Sequence, residues 1–175
     1  MNSVLIRYPG LYLVGFMGCG KTTVGLKLAD ELGWSFADLD DDIEATAGEP
    51  IPSIFDTRGE PEFRRLEHEA LEARLRLIRR GQPAVLSLGG GAFAQQNNFE
   101  LLHGHGVSIW LDAPFELIQR RIAGQEHRPL ARDPEKFAAL YHARQSAYAR
   151  ADYRIEIDGD DPAVAVRAIL ALPMF

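Results

Sequence analysis

The segment Gly15-Phe16-Met17-Gly18-Cys19-Gly20-Lys21-Thr22 constrains this chain more than any other. It follows the apolar run Leu11-Tyr12-Leu13-Val14. It precedes Thr22 to Leu32, where Val24, Leu28, Ala29 and Leu32 recur at helical spacing until Gly33 stops the pattern. G-x-x-x-x-G-K-[ST] between a buried strand and a helix reads as a phosphate loop rather than a chance glycine-rich turn. The glycines let consecutive backbone N–H groups curl around a phosphate, and the helix N-terminus adds unpaired donors and a positive dipole. Lys21 can reach the β- and γ-phosphates, and the Thr22 hydroxyl can ligate Mg2+.

The rest of the chain alternates strand and helix. Strands are expected at Ser35 to Ala37, ending at Asp38, and at Ala84 to Leu88, Val107 to Leu111 and Tyr153 to Ile157. Helices are expected at Asp40 to Ala47, Glu62 to Arg80, Phe99 to Leu102, Pro114 to Ile122, Pro134 to Ala151 and Pro162 to Leu172. Gly48 to Gly59, with two prolines, reads as a broken helical connection. Gly124 to Asp133, charged and without apolar period, reads as a mobile loop. Five strands alternating with helices predict an α/β fold with a mainly parallel sheet and right-handed crossovers. At 175 residues, the expectation is a single domain over 1–175.

Composition narrows the function. The formal net charge of −6 argues against nucleic-acid or anionic-membrane binding, although a local basic pocket remains compatible with it. No apolar run approaches the roughly 20 residues of a membrane span. One cysteine excludes an internal disulfide, the five histidines have no metal-type spacing, and Met1 to Gly10 is no signal peptide, so a cytoplasmic protein is expected. The chain also lacks an apolar strand ending in Asp-Glu and an N-K-x-D guanine reader. Those absences favour a small-molecule kinase over a motor ATPase or a GTPase.

Three further clusters bear on the acceptor. Asp38 and Asp40 stand at the end of the second strand, where open α/β sheets place ligand groups. An acidic surface run or a helix cap fits the same residues equally well. Arg64 and Glu67 share a helix face, as a ligand clamp or as an ordinary exposed ion pair. Gly89-Gly90-Gly91 ends the third strand and would let a ligand lie against bare backbone, unless it is a plain flexible turn.

Taken in order, these motifs resemble the shikimate kinase family from Leu11 to about Leu172. They are the phosphate loop, D-x-D at Asp38 and Asp40, and G-E-x-x-F-R-x-x-E at Gly59, Glu60, Phe63, Arg64 and Glu67. After them come the triple glycine, R-P-L at Arg128, Pro129 and Leu130, and R-x-x-x-Y at Arg144 and Tyr148. The resemblance implies a three-layer P-loop NTPase fold, nucleoside-monophosphate-kinase-like, with a five-stranded parallel sheet. It implies transfer of the ATP γ-phosphoryl group to the 3-hydroxyl of shikimate, a step towards chorismate and the aromatic amino acids, with one Mg2+ per site.

It further implies catalytic roles for Lys21, Asp40 and Arg128, the last on a lid around 124–133. Shikimate contacts fall to Asp40, Arg64, Gly89, Gly90, Gly91 and Arg144, with Glu67 orienting Arg64 and with Phe55 and Phe63 as pocket walls. Nucleotide contacts fall to Gly15, Gly18, Cys19, Gly20, Lys21, Thr22, Thr23, Arg121 and Arg128, with Arg121 stacking on adenine; Thr22 and Asp38 stand at the metal. The partners expected are ATP/ADP and shikimate, with a monomer and neither nucleic acid nor membrane.

Two other readings stand beside this one: a kinase for another hydroxy acid such as gluconate, and a nucleotide-binding module without turnover. Cys19 is expected to be a small, partly buried filler, although its place at a helix N-terminus beside Lys21 also favours a reactive thiolate.

Overall fold

The computed structural model describes residues 9–123 and 133–175. Arg128, and all of the expected lid except Asp133, lie outside the described residues.

Five strands form one parallel sheet in the order β2-β3-β1-β4-β5: β1 Gly10–Val14, β2 Ser35–Asp38, β3 Ala84–Ser87, β4 Val107–Asp112 and β5 Tyr153–Glu156. Every residue of β1 and β3 is buried, as in a parallel sheet covered on both faces by its crossover helices. The described helices are α1 Lys21–Leu32, α2 Leu39–Ala47, α3 Ile51–Arg58, α4 Glu60–Arg79, α5 Gln96–Leu102, α6 Phe115–Ile122, α7 Pro134–Tyr148 and, after the last strand, α8 Pro162–Leu170. None of the described helices is long and apolar enough to cross a membrane.

Two helices differ from expectation for one physical reason. The Gly48–Gly59 connection is not broken, because α3 is a regular helix with Pro50 at its N-cap and a proline in its first turn. A proline there gives up an N–H that has no partner within the helix anyway. Pro61 sits likewise at the start of α4, which therefore begins at Glu60 rather than Glu62. A short 3-10 turn, Ala92–Ala94, leads into α5, which begins before the apolar residues that signalled it.

The strand that carries the phosphate loop is fixed from beneath by one aromatic ring. Tyr12 is fully buried, and its hydroxyl donates to the His105 carbonyl oxygen at 2.7 Å. Burial drives the Tyr12 hydroxyl well above its ordinary pKa, so it stays a donor. Its ring occupies the space that side chains at Gly10 and Gly106 would fill: a Cβ on Gly106 would lie 2.5 Å from both the Gly10 carbonyl oxygen and Tyr12 Cε2. Gly106→Ala is therefore expected to destabilise the protein by about 1–3 kcal/mol, the range for overpacking a filled core. Gly104→Ala would meet no atom within 4 Å and is limited only by the backbone's positive φ of 78°. Urea unfolding midpoints check the first value; an unchanged midpoint for Gly106→Ala would contradict the packing described.

Candidate active site

At the C-terminal edge of the sheet, β1 runs directly into the phosphate loop. Gly15 has φ 147° and Gly20 has φ 103°, so both fixed glycines of the motif occupy backbone regions that L side chains rarely adopt. At Gly15 there is also no room, since a Cβ would lie 2.7 Å from the Leu111 carbonyl oxygen and 2.8 Å from Cys19 Sγ. Gly20 is the N-cap of α1. No side-chain oxygen caps this helix and its first turn holds no acid, as also at α3 and α5, whereas Asp38, Asp133 and Asp161 cap α2, α7 and α8. The first N–H groups of α1 are thus left for an anion.

Lys21 Nζ donates to the carbonyls of Gly15 at 2.8 Å and Phe16 at 3.2 Å, which holds the ammonium over the loop. Cys19 departs from expectation. It is buried rather than partly buried, at 1% exposure, with Sγ 3.8 Å from Lys21 Nζ. So low an exposure favours the filler reading, although Cys19 borders the cleft described below.

The two readings of the Asp38 and Asp40 pair both hold, divided between oxygens. Asp38 Oδ1 accepts from the Asp40 backbone N–H at 3.0 Å and caps α2, while Oδ2 accepts from the Thr22 hydroxyl at 3.1 Å. Asp40 is half-buried, and its carboxyl is pushed up to about 6, first by desolvation and then by the charge of Asp38, with Lys21 opposing. It lies against Gly89, where a Cβ would come within 2.7 Å of its Oδ1.

The triple glycine is an approach surface rather than a loose turn. A Cβ on Gly91 would lie 2.6 Å from Arg64 Nη2 and 3.0 Å from Arg144 Nη1, so guanidinium groups from α4 and α7 converge on one stretch of backbone. The Gly90 carbonyl oxygen accepts from the buried Tyr148 hydroxyl at 2.5 Å, one helical turn beyond Arg144. Nor is the Arg64–Glu67 pair an ordinary exposed bridge. Glu67 is 1% exposed, with its Oε1 2.8 Å from Arg64 Nη1. Burial raises the Glu67 carboxyl pKa and Arg64 pulls it back.

A cleft of about 530 Å³ joins these parts. Residues 17–22 of the phosphate loop line it together with Asp38, Asp40, Gly89, Gly90, Arg121 and residues 156–162. Arg64, Gly91 and Arg144 do not line it, but Gly91 continues the chain from Gly90, so the clamp adjoins the cleft. Phe55 and Phe63 also lie off its wall; their rings pack together at 4.5 Å, tilted by 33°, Phe63 buried and Phe55 exposed. Arg121 is tied down along its edge, donating to Gly18 O at 2.9 Å, Gly159 O at 2.7 Å and Asp160 Oδ1 at 3.1 Å. The Gly159–Pro162 wall was not singled out from the sequence. The one available signal was its place after β5, on the edge of the sheet where such folds bind ligands.

Comparison with known proteins accords with this geometry. The shikimate kinase family model matches residues 17–172. A shikimate kinase of Persephonella marina is 41% identical over 161 residues, 91% of this chain and 96% of that protein. One from Caulobacter vibrioides is 44% identical over 169 residues, 94% of this chain and 82% of that protein. Among solved structures, the Acinetobacter baumannii shikimate kinase in complex with shikimate superposes with a TM-score of 0.85 at 37% identity, covering 94% of this chain and 92% of its own. A Janibacter sugar kinase, at 20% identity and TM-score 0.62, shares the fold alone. With the family model spanning nearly all of the phosphate loop and every later element, the chain belongs to the shikimate kinase family.

Proposed function

We propose that this protein transfers the γ-phosphoryl group of ATP to the 3-hydroxyl of shikimate. The observation that carries the reading is the convergence of Arg64 and Arg144 on Gly91, beside a carboxylate, Asp40, that faces the phosphate loop. Two guanidinium forks meeting at bare backbone suit a planar carboxylate, and no plain nucleotide-binding module needs them. A gluconate kinase would share the phosphate loop, but the family membership speaks for shikimate.

In this reading the α1 N-terminus and Lys21 hold the β- and γ-phosphates, with Gly15, Gly18, Cys19, Gly20, Thr22 and Thr23 lending loop contacts. Arg121, its edge anchored, offers the flat face of its guanidinium to the base. Arg64 and Arg144 orient the acceptor through its carboxylate. Asp40 orients the attacking hydroxyl and takes up its proton, so it acts in the ionised form. The part expected of Arg128 lies outside the described residues.

Thr22 Oγ1 and Asp38 Oδ2, two hard oxygens 3.1 Å apart at the loop, fit Mg2+. Among the described residues no group of three His, Cys, Asp or Glu is arranged to hold a metal by itself. This suits an ion that completes its shell with water and phosphate oxygens. When bound, Mg2+ would neutralise charge on the transferring phosphates. We take the protein to act as a cytoplasmic monomer of one domain, which sedimentation at assay concentration would test in its oligomeric part.

The direct test is ADP release with ATP and shikimate, with gluconate as the control acceptor. Turnover is expected with shikimate alone; equal turnover with gluconate would favour the other reading. Arg64→Ala removes charge-assisted hydrogen bonds of about 1.5–3 kcal/mol, so KM for shikimate should rise roughly 10- to 100-fold. KM for ATP should stay within a few-fold. Unchanged shikimate kinetics in the folded variant would sink the clamp.

Asp40 yields a paired expectation. Its carboxyl is raised to about 6, so turnover should fall as pH drops through that value, and Asp40→Asn should abolish most turnover. Stability should move the other way. The folded state holds this proton more tightly than the unfolded chain, so ionisation costs stability, and the cost grows as pH rises from the ordinary carboxyl value of 3.8 to about 6. Asp40→Asn should therefore raise Tm above neutrality, by an increment that fades as pH falls through that window. A lower Tm at every pH would contradict the assigned desolvation.

A further inference from the structure

We propose that Asn98, in α5 and outside every motif of the family resemblance, is a positioning residue for the acceptor clamp; this rests on the shikimate reading above. Asn98 is 1% exposed, one of few polar side chains buried among the described residues, and Glu67 is another. Its amide spans three neighbours. Nδ2 donates to the Ala92 carbonyl oxygen at 3.1 Å and faces Glu67 Oε1 at 3.5 Å, and Oδ1 stands 2.7 Å from His68 Nδ1. The first two partners accept, one a carbonyl oxygen and the other a Glu67 Oε1 that already receives Arg64 Nη1. That fixes which end of the amide is NH2 and turns the oxygen to the histidine. His68 Nδ1 is also approached by Asn97 Nδ2 at 3.3 Å, so the histidine closes the network on its outer side.

These contacts have a common geometry. Ala92 is the residue directly after Gly91, so Asn98 grips the triple glycine where it leaves the site. Glu67 receives Arg64 Nη1 at 2.8 Å, so the same amide also braces the carboxylate that holds the first guanidinium. Arg64 and Gly91 approach so closely that no Cβ fits between them. The gap between the clamp and the backbone against which the acceptor lies is set by a short chain: Gly91–Ala92, Asn98, Glu67, Arg64. An apolar side chain would fill the α5 position without desolvating an amide, which costs free energy unless every partner is met. Asn98 instead holds two parts of the acceptor site in register, one on α4 and one after β3.

The test is a kinetic comparison of Asn98→Ala and Asn98→Ser with the wild-type enzyme, singly and combined with Glu67→Gln. Loss of Asn98 is expected to raise KM for shikimate about tenfold, the scale of one hydrogen bond to a charged group, with KM for ATP within about twofold. In the Glu67→Gln background the same change should add little, because both act through Arg64. A purely structural residue would lower Tm without splitting the two KM values. The inference is overturned if folded variants keep the wild-type shikimate KM, if both KM values rise together, or if the two substitutions are fully additive. It is also overturned if neither Asn98 variant folds, since the residue is then structural. The wild-type control separates the two levels. Absence of shikimate-dependent ADP release there removes the substrate reading and this inference with it. Normal wild-type release with indifferent variants removes this inference alone.

Discussion

A loop that presents its backbone N–H groups to a polyanion cannot also spend them on holding itself in shape, and the rest of this structure follows from that constraint. Within the Gly15–Thr22 loop the Cys19 N–H turns inward to Phe16 O at 3.2 Å and Lys21 ties the Gly15 and Phe16 carbonyls, and the further support comes from outside. Gly15 is pressed against the Leu111 carbonyl at the end of β4, and the Gly18 carbonyl oxygen accepts from Arg121 of α6. Phe16 is buried edge-on to Phe137 and Tyr141 of α7, with ring centroids 5.3 and 5.4 Å away. The loop's shape is therefore a property of β4, α6 and α7 together, and the pairing of β1 with β4 brings the first of those supports to it.

The acceptor side obeys a different economy. Its charges are drawn close and partly dried. Asp40 lies against Gly89 with Asp38 nearby, and Glu67 is buried behind Arg64. Removing carboxylates from water destabilises the folded chain unless each finds a cation or a donor. Here the offsetting groups are the same ones the proposed reaction uses, Lys21 and Arg64. The net charge of −6 is no guide to this region, because the substrates would meet a local arrangement of ammonium, guanidinium and helix N-terminus rather than the average surface.

How far the sequence could be read depended on how local the signal was. The phosphate loop, the five strands and the parallel class were legible, because apolar runs, helical spacing and glycine stops act within a few residues. The helix α3 was not, since two prolines read as breakers until one sees that they stand at its start. Spacing alone left Arg64 and Glu67 as either a clamp or a surface pair. What decides between them is burial of Glu67 beneath α5, a contact made by residues some thirty positions later. Asp38 resisted a single reading because its two oxygens do different work. Asn98 carried no signal in its own neighbourhood, for its partners lie on α4 and on the turn after the glycines.

The order of strands in the sheet also bears on how the molecule is made. β1 leaves the ribosome before the other four strands of the sheet, yet it lies in the middle, paired with β3 at Leu11↔Val85 and with β4 at Leu11↔Val107. Neither neighbour exists when β1 emerges. The Tyr12 hydroxyl waits for the His105 carbonyl, and Gly15 for that of Leu111. Long-range parallel pairing of this kind is slow and leaves apolar strand exposed in the meantime. A nascent chain stalled before β3 would carry the complete nucleotide motif in its sequence and none of the scaffold that shapes it, an unpaired apolar strand for chaperones to shield until translation resumes.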